Sequence, residues 1–427
     1  TPIAIVTPYD DADLRELYYA QSADVLYLAH RDYRPQKLTR TALGPPAVFS
    51  ITPIDFLDGP YLDQNTTATT LKVSANTGTG LTMTASAALF QAGHIGSIWR
   101  IKGGTVWGYV RVTGFTDTTH VTVTVVSALD FAVPGTTTTL VWREGSWSGV
   151  RGWPSVVTLF QQRLWFGATS EEPDTFWGSV TADYENFAEG SAQPADSTEY
   201  TLASNTVNAI RWMVPSRALL IGTTGQEWNV AASSGGAIEP ADANAKAETT
   251  YGCAQVIPLQ VHNAALFLQR AGKNLRELSY DQNADAYVAP DLTLLAEHLT
   301  AQYGILQMAY QQIPDSIVWC VRSDGQLLGM TYERSQDVVA WHRHIFGGSY
   351  GIFDSQCLSV AVIPHPDGDE DQVWVIVRRT INGTTACYVE YMSSMNSGKF
   401  ANLGMVNADS AIIQSIGLLP PGSHGAT

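Results

Sequence analysis

Residues Phe160 to Phe187 read FQQRLWFGATSEEPDTFWGSVTADYENF. An apolar run, a polar turn and a second run ending in Trp-Gly-Ser make one tight reversal crowded with aromatic side chains. A short apolar strand, a turn rich in Gly, Asn, Asp or Pro, and an alternating second strand together spell a β-hairpin. The pattern recurs. Copies begin at Val25 (VLYLAHRDYRPQKLTR), Ala218 (ALLIGTTGQEWNV), Ala265 (ALFLQRAGKNLRELSY), Ser316 (SIVWCVRSDGQLLGMTYE) and Gln372 (QVWVIVRRTINGTTACYVEYM). SDGQ and INGT are the clearest turns among them.

The apolar strands centre near Leu164, Leu220, Phe267, Trp319 and Trp374, roughly 47 to 56 residues apart, which is the period of propeller blades. The gap from Leu26 to Leu164 is too long, and excising the threonine-rich stretch Leu62 to Ser146 restores the period. Further strands precede the hairpins in NAIRWMVP, QVIPLQVHN, LQMAYQQIPD and CLSVAVIPHPDGDED. Six units of three or four short strands predict an all-β chain. Its body is expected to be a six-bladed β-propeller-like array carrying an inserted small β-barrel or β-sandwich and a few short helices. The divisions expected are 1–61 (first blade segment with a short helix), 62–146 (inserted module) and 147–427 (remaining blades and C-terminal segment). Trp165, Phe166 and Trp177 then answer the aromatic crowding, since facing sheets leave wedge-shaped gaps that large side chains fill. The short helices expected are DDADLRELYYA, capped by Asp10 or Asp11, and PDLTLLAEHLT, with Leu292, Leu295, Ala296 and Leu299 on one face.

Charged residues make up 15% of the 427, against a usual quarter, and threonine, glycine, tryptophan and tyrosine are plentiful. That bias favours strands and turns. A net charge of −16 argues against a protein that grips phosphates through lysine and arginine. No apolar run approaches the roughly 18 to 20 residues of a membrane span, and TPIAIVTPYD does not read as a signal peptide. Cys253, Cys320, Cys357 and Cys387 show no C-x-x-C spacing and read as free thiols, mostly buried in apolar strands.

Motifs for chemistry are sparse. Gly347 to Gly351 matches G-x-S-x-G, but no helical period follows, so it reads as a loop between blades. His342 and His344 share one side of a strand, as a metal pair would. Without a third ligand they read as surface histidines on an outer strand. The loop PDGDED, Pro366 to Asp371, lacks the spacing of a calcium loop. SDGQLLGMTY loosely resembles the aspartate box of sialidase-type propellers, but occurs once. Asn65 and Asn382 head Asn-x-Thr triplets, which matter only in a secreted eukaryotic protein. Trp99 or Trp107 could stack on a sugar, though core packing is the favoured reading. No enzyme, cofactor or metal is expected.

Several phrases together resemble one family. They are TPYDDADLRELYYAQSADVLYLAHRDYRPQKLTR, QRLWFGATSEEPDTFWGSVTADYENF, NAIRWMVPSRALLIGTTGQEW, TTYGCAQVIPLQVHNAALFLQRAGKNLREL, YVAPDLTLLAEHLT and MAYQQIPDSIVWCVRSDGQLLGMTYERSQDVVAWHRH. From about Thr7 to Tyr391 the chain resembles the tail nozzle, or tail tubular protein B, of short-tailed bacteriophages. In the insert, GHIGSIWRI and VTGFTDTTHVTV resemble a module labelled as similar to a ubiquitin-activating-enzyme β-domain, which implies a small β-fold and no ubiquitin chemistry. The resemblance implies a virion tail protein assembled in the host cytoplasm. It implies a hexameric ring of self-copies below the portal and head-to-tail adaptor, neighbouring tail fibres or spikes and surrounding a channel for DNA ejection. Arg31, Arg34 and Lys37, from RDYRPQKLTR, are the candidate contacts to passing DNA. The other reading is a propeller-type hydrolase or carbohydrate-binding tail protein acting on host polysaccharide. It would need several acidic or arginine residues converging on the propeller axis.

Overall fold

The computed structural model describes residues 4–44, 47–204, 208–351, 353–392 and 413–415. They form strands joined by turns, with only single turns of helix. The chain divides into two compact units, Thr1–Thr250 and Tyr251–Thr427.

The first unit opens with a four-stranded antiparallel meander, β1 (Tyr18–Ser22), β2 (Val25–His30), β3 (Tyr33–Ala42) and β4 (Val48–Pro53). A second sheet follows from β5 (Leu71–Val73), β6 (Leu81–Ala85), β7 (Ile98–Lys102), β8 (Trp107–Asp117), β9 (His120–Ser127) and β10 (Trp142–Glu144). Its spatial order is β10-β7-β8-β9-β6-β5, and its strands pair with one another. The sheet curls back on itself, because Leu71 N donates to Thr139 O at 2.9 Å and Thr139 N to Leu71 O at 2.8 Å, just ahead of β10. Trp99, Phe90, Val110, Val121 and Met83, each 1% exposed or less, fill its interior. The entering and leaving chains run side by side, Leu62 N donating to Glu144 O at 2.8 Å and Ser146 N to Pro60 O at 3.0 Å.

Two more meanders complete this unit. One is β11 (Val156–Phe160), β12 (Arg163–Gly167), β13 (Thr175–Gly178) and β14 (Thr198–Thr201). The other is β15 (Ile210–Pro215), β16 (Leu219–Thr223), β17 (Glu227–Ala231) and β18 (Asn244–Thr249). The second unit holds meanders β19 (Leu259–Val261), β20 (Ala264–Leu268), β21 (Leu275–Asp281), β22 (Ala286–Val288), and β23 (Ile305–Gln311), β24 (Ile317–Arg322), β25 (Leu327–Glu333), β26 (Val338–His344). Its last sheet contains β27 (Ser349–Tyr350), β28 (Phe353–Asp354), β29 (Gln356–Pro364), β30 (Asp371–Ile381), β31 (Thr384–Met392) and β32 (Ile413–Ser415).

First strands lie against first strands. In the first unit β11 packs between β1 and β15, and in the second β23 packs between β19 and β29. Second strands such as β12, β16 and β20 are buried along their whole length. A strand covered on both faces is apolar at nearly every position, which is why these segments, Arg163 and Thr223 apart, read as near-continuous hydrophobic runs.

The aromatic crowding of the opening stretch has a specific cause. Trp147, which leads out of the second sheet, meets Phe166, Trp177 and Phe187 edge-on at centroid distances of 5.3, 5.6 and 4.9 Å, and Phe56 at 5.0 Å. The two ends of the long excursion are thus pinned by rings from the hairpin. A second device recurs in three meanders, where a ring lies over the glycine directly opposite. The pairs are Trp165 with Gly178, Trp212 with Gly222, and His342 with Gly329. A Cβ at those glycines would fall 2.8, 2.1 and 2.1 Å from the ring, so no larger residue fits beneath it.

Two helix expectations are corrected. DDADLRELYYA gives only a 3-10 turn over Asp13–Arg15, and Tyr18 onward is β1. Pairing of Tyr18 with Ala29 buries that tyrosine to 3% exposure, a gain that a solvated helix would forgo. In PDLTLLAEHLT a 3-10 turn, Leu294–Ala296, precedes one α turn, Glu297–Thr300. Leu292, Ala296 and Leu299 are buried, but Leu295 is 96% exposed, because the tighter winding swings it off the apolar face. All four cysteines are free, with Cys253, Cys320 and Cys357 buried and Cys387 exposed.

Candidate functional site

The polar groups of the first unit gather where the inserted sheet joins its neighbours. Three carboxylates stand there, each shared by two basic side chains. Asp55, just after β4, lies 3.0 Å from Arg34 Nη2 of β3 and 3.2 Å from Arg111 Nη1 of β8. Glu189 takes Arg143 of β10 and, at 3.5 Å, Arg100 of β7. Glu144 accepts from Arg151 Nε at 2.9 Å and Nη2 at 2.7 Å, and its Oε1 lies 3.1 Å from His94 Nε2. The arginines also tie the backbone. Arg143 donates to Leu62 O and Tyr61 O, Arg111 to Phe56 O, and Arg34 to Ile54 O.

These positions carry electrostatic consequences. Burial alone would push the Glu144 carboxyl up. The bonds from His94 and Arg151 outweigh it and hold that carboxyl below its ordinary value. Desolvation raises Asp58, whose carboxylate accepts from the buried Tyr61 hydroxyl, and the Tyr61 hydroxyl is itself pushed well up by burial. Desolvation and the adjacent Arg111 lower Arg34.

A cleft of about 490 Å³ opens beside this joint, lined by Asp63, Gln64, Arg100, Trp107, Arg143, Glu189 and Gly190. A smaller one of about 320 Å³ lies beyond Glu189 and Gly190, over Trp177, Phe187, Asp196 and Glu199. Desolvation, then the like charge of Glu172, pushes Glu199 up to about 7. More than a third of that residue stays open to water at the rim, and screening there works against the shift. The two arginines of the larger cleft share Glu189, and with Asp63 in the same lining its formal charges cancel. The arrangement fixes one sheet against another.

The three residues read as DNA contacts do not form one open basic band. Arg31, in the turn after β2, is 43% exposed and meets Glu16 at 3.1 Å. Arg34 is 19% exposed and belongs to the Asp55 clasp. Lys37, past the bulge in β3, donates to both carboxylate oxygens of Glu185 at 2.6 and 2.8 Å. Each therefore has an acidic partner.

The remaining motifs also find places. Trp99 is fully buried in the inserted sheet's core, which removes it as a sugar platform, and Trp107 is half-buried with the Arg100 guanidinium 5.1 Å over its ring. Gly347 to Gly351 is a turn around the two-residue strand β27, which is paired to β28. PDGDED is the β29–β30 turn, where the Asp367 and Asp369 carboxylates lie 3.6 and 3.3 Å from His365 Nδ1. Asn65 spends its amide on three backbone carbonyls, and Asn382 sits at a turn apex with φ of +49°. Among the described residues no group of three or more His, Cys, Asp or Glu side chains could hold a metal ion. His342 and His344 lie on the outer strand β26 as expected, but they are half-buried and touch each other.

Sequence reasoning missed Arg163. It is 2% exposed, and its guanidinium donates to the carbonyls of Ser179, Asp196 and Pro194 at 2.5, 2.6 and 2.5 Å. An arginine inside the motif QRLWFG, where every following residue is apolar, was the available signal.

No family model matches the chain, and no curated protein matches it. Among solved structures it is similar to a luciferin-regenerating enzyme at 11% identity and a TM-score of 0.23, over 55% of this chain and 89% of that one. A likeness at that score carries no argument about function. No helix among the described residues is long and apolar enough to cross a membrane.

Proposed function

We propose that the chain is a structural subunit of a phage tail nozzle: a six-bladed propeller body with a projecting module formed by residues 62–146. Six copies would close a ring below portal and adaptor, through which DNA is retained and then ejected. The chain acts in the virion tail, beside fibres or spikes, and performs no catalysis. The observation that carries this reading is the composition of the packed first strands. Across β1, β11, β15, β19, β23 and β29 the one charged residue is Arg211. A propeller hydrolase concentrates acids and arginines where its first strands converge, so this composition favours a passive body. The net charge of −16 suits a conduit, because phosphates neutralised by few cations release few counterions and the duplex slides.

The ion pairs at the candidate contacts refine the test. Arg31 and Lys37 can be replaced together by glutamine without touching the Asp55 clasp, whereas Arg34 cannot. The double variant should form particles normally and change DNA retention or ejection rate, read by dye release from filled particles. Free duplex should bind the isolated protein weakly even at low salt. Tight, sequence-selective binding at physiological salt would overturn the conduit reading.

A further inference from the structure

The histidine pair of β26 was expected to lie loose on a surface, and its geometry is more organised than that. His342 Nδ1 and His344 Nε2 face each other at 2.7 Å, with ring planes at 76°. Strand alternation puts both rings on one face. Antiparallel pairing sets His342 opposite Gly329 and His344 opposite Leu327. The missing Cβ of Gly329 is what lets the His342 ring lie down, since a Cβ there would fall 2.1 Å from its Cε1. Trp319, across β25 from this face, backs both imidazoles at centroid distances of 6.0 and 4.9 Å, and its own Nε1 is anchored by Gln311 at 3.0 Å. The pair thus sits in a cradle of glycine and indole, and both residues are half-buried.

We propose that His342 and His344 form a two-imidazole chelate for a divalent transition-metal ion, copper(II) or nickel(II) in preference to zinc. Two nitrogens about 2.0–2.1 Å from one metal are about 2.9 Å apart at the right angle of a square or octahedral site, and about 3.3 Å apart at the tetrahedral angle of zinc. The 2.7 Å contact lies nearer the first value; both rings must turn so that their lone pairs converge on the ion, and the general order of divalent affinities places copper(II) above zinc. With two neutral rings, one facing nitrogen holds a proton and the other accepts it. Moving that proton to the outer nitrogen of the same ring frees both lone pairs, so the metal enters with no net proton release. Water completes the coordination. The site lies in the second unit and is independent of the conduit reading.

The test uses the full chain without an affinity tag, titrated with Cu²⁺ and Ni²⁺ by calorimetry. Electron paramagnetic resonance of the copper form reports the number of nitrogen ligands. The expected result is one site per chain with a two-nitrogen signature, bound more weakly when Zn²⁺ is used. His344→Gln should lower the affinity by at least about tenfold and remove one nitrogen from the signature. His344 is the last residue of β26, so this variant should keep the wild-type circular dichroism. His342→Gln/His344→Gln provides the background from scattered surface histidines. Wild-type binding no tighter than that background, or an unchanged spectrum in the single variant, would overturn the proposal.

Discussion

Replacing Arg163 by methionine should cost about 2–4 kcal/mol of the first unit's stability. The substitution keeps most of the side chain's length and apolar stem. It removes every donor from the carbonyls of Ser179, Asp196 and Pro194, at a site 2% exposed. Orphaning the buried Ser179 carbonyl costs about 1–3 kcal/mol, and the part-buried Asp196 and Pro194 carbonyls cost less because water can reach them. Relief from burying a cation offsets part of the sum, since desolvation already lowers the Arg163 guanidinium. Arg163→Lys retains one or two of the contacts and should fall between. The measurement is denaturant unfolding read by hydrogen exchange at β12 and β13, which separates this unit from the other. A loss under about 1 kcal/mol would mean that water reaches those carbonyls.

Glu144→Ala should have an effect of similar size, about 3–5 kcal/mol, concentrated in the inserted sheet. Glu144 is 5% exposed, and its removal leaves His94, 2% exposed, and one end of Arg151 without their shared acceptor. Hydrogen exchange should quicken in β7 and β10, which frame the joint, while the second unit stays unchanged. The pH dependence has a definite sign. Because the folded carboxyl is held below its ordinary value, its stabilising contribution is present above that ordinary value. It disappears as the pH falls through the depressed one. Wild type and Glu144→Ala should therefore converge in stability on acidification. Parallel curves down to the acid limit would show that the carboxylate contributes nothing.

What the sequence made legible is local. INGT reads as a two-residue hairpin turn, and Asn382 and Gly383 take φ of +49° and +79° between the paired Ile381 and Thr384. SDGQ likewise turns at Gly325, φ +91°, with the Asp324 carboxylate held by Arg322 at 2.7 Å. The near-continuous apolar runs were legible because burial on both faces leaves few polar positions to hide them. The clasps were not. Glu144 meets His94 across 50 residues, and Lys37 meets Glu185 across 148. A charged residue in a turn looks the same on paper whether it is solvated or paired. The strand at Tyr18 was misread for the related reason that its partner, β2, outweighs the acidic first turn that suggested a helix. For the histidines, the i, i+2 spacing showed a shared face, but the glycine beneath the ring lies on another strand.

Where these sheets sit in an assembled particle separates a conduit subunit from any other role. Electron cryomicroscopy of a tail containing this chain is the direct measurement. It should show six copies around an axial channel, each with its sheets fanned radially and the first strands innermost. A single copy per tail, or sheets stacked face to face instead of fanned, would contradict it.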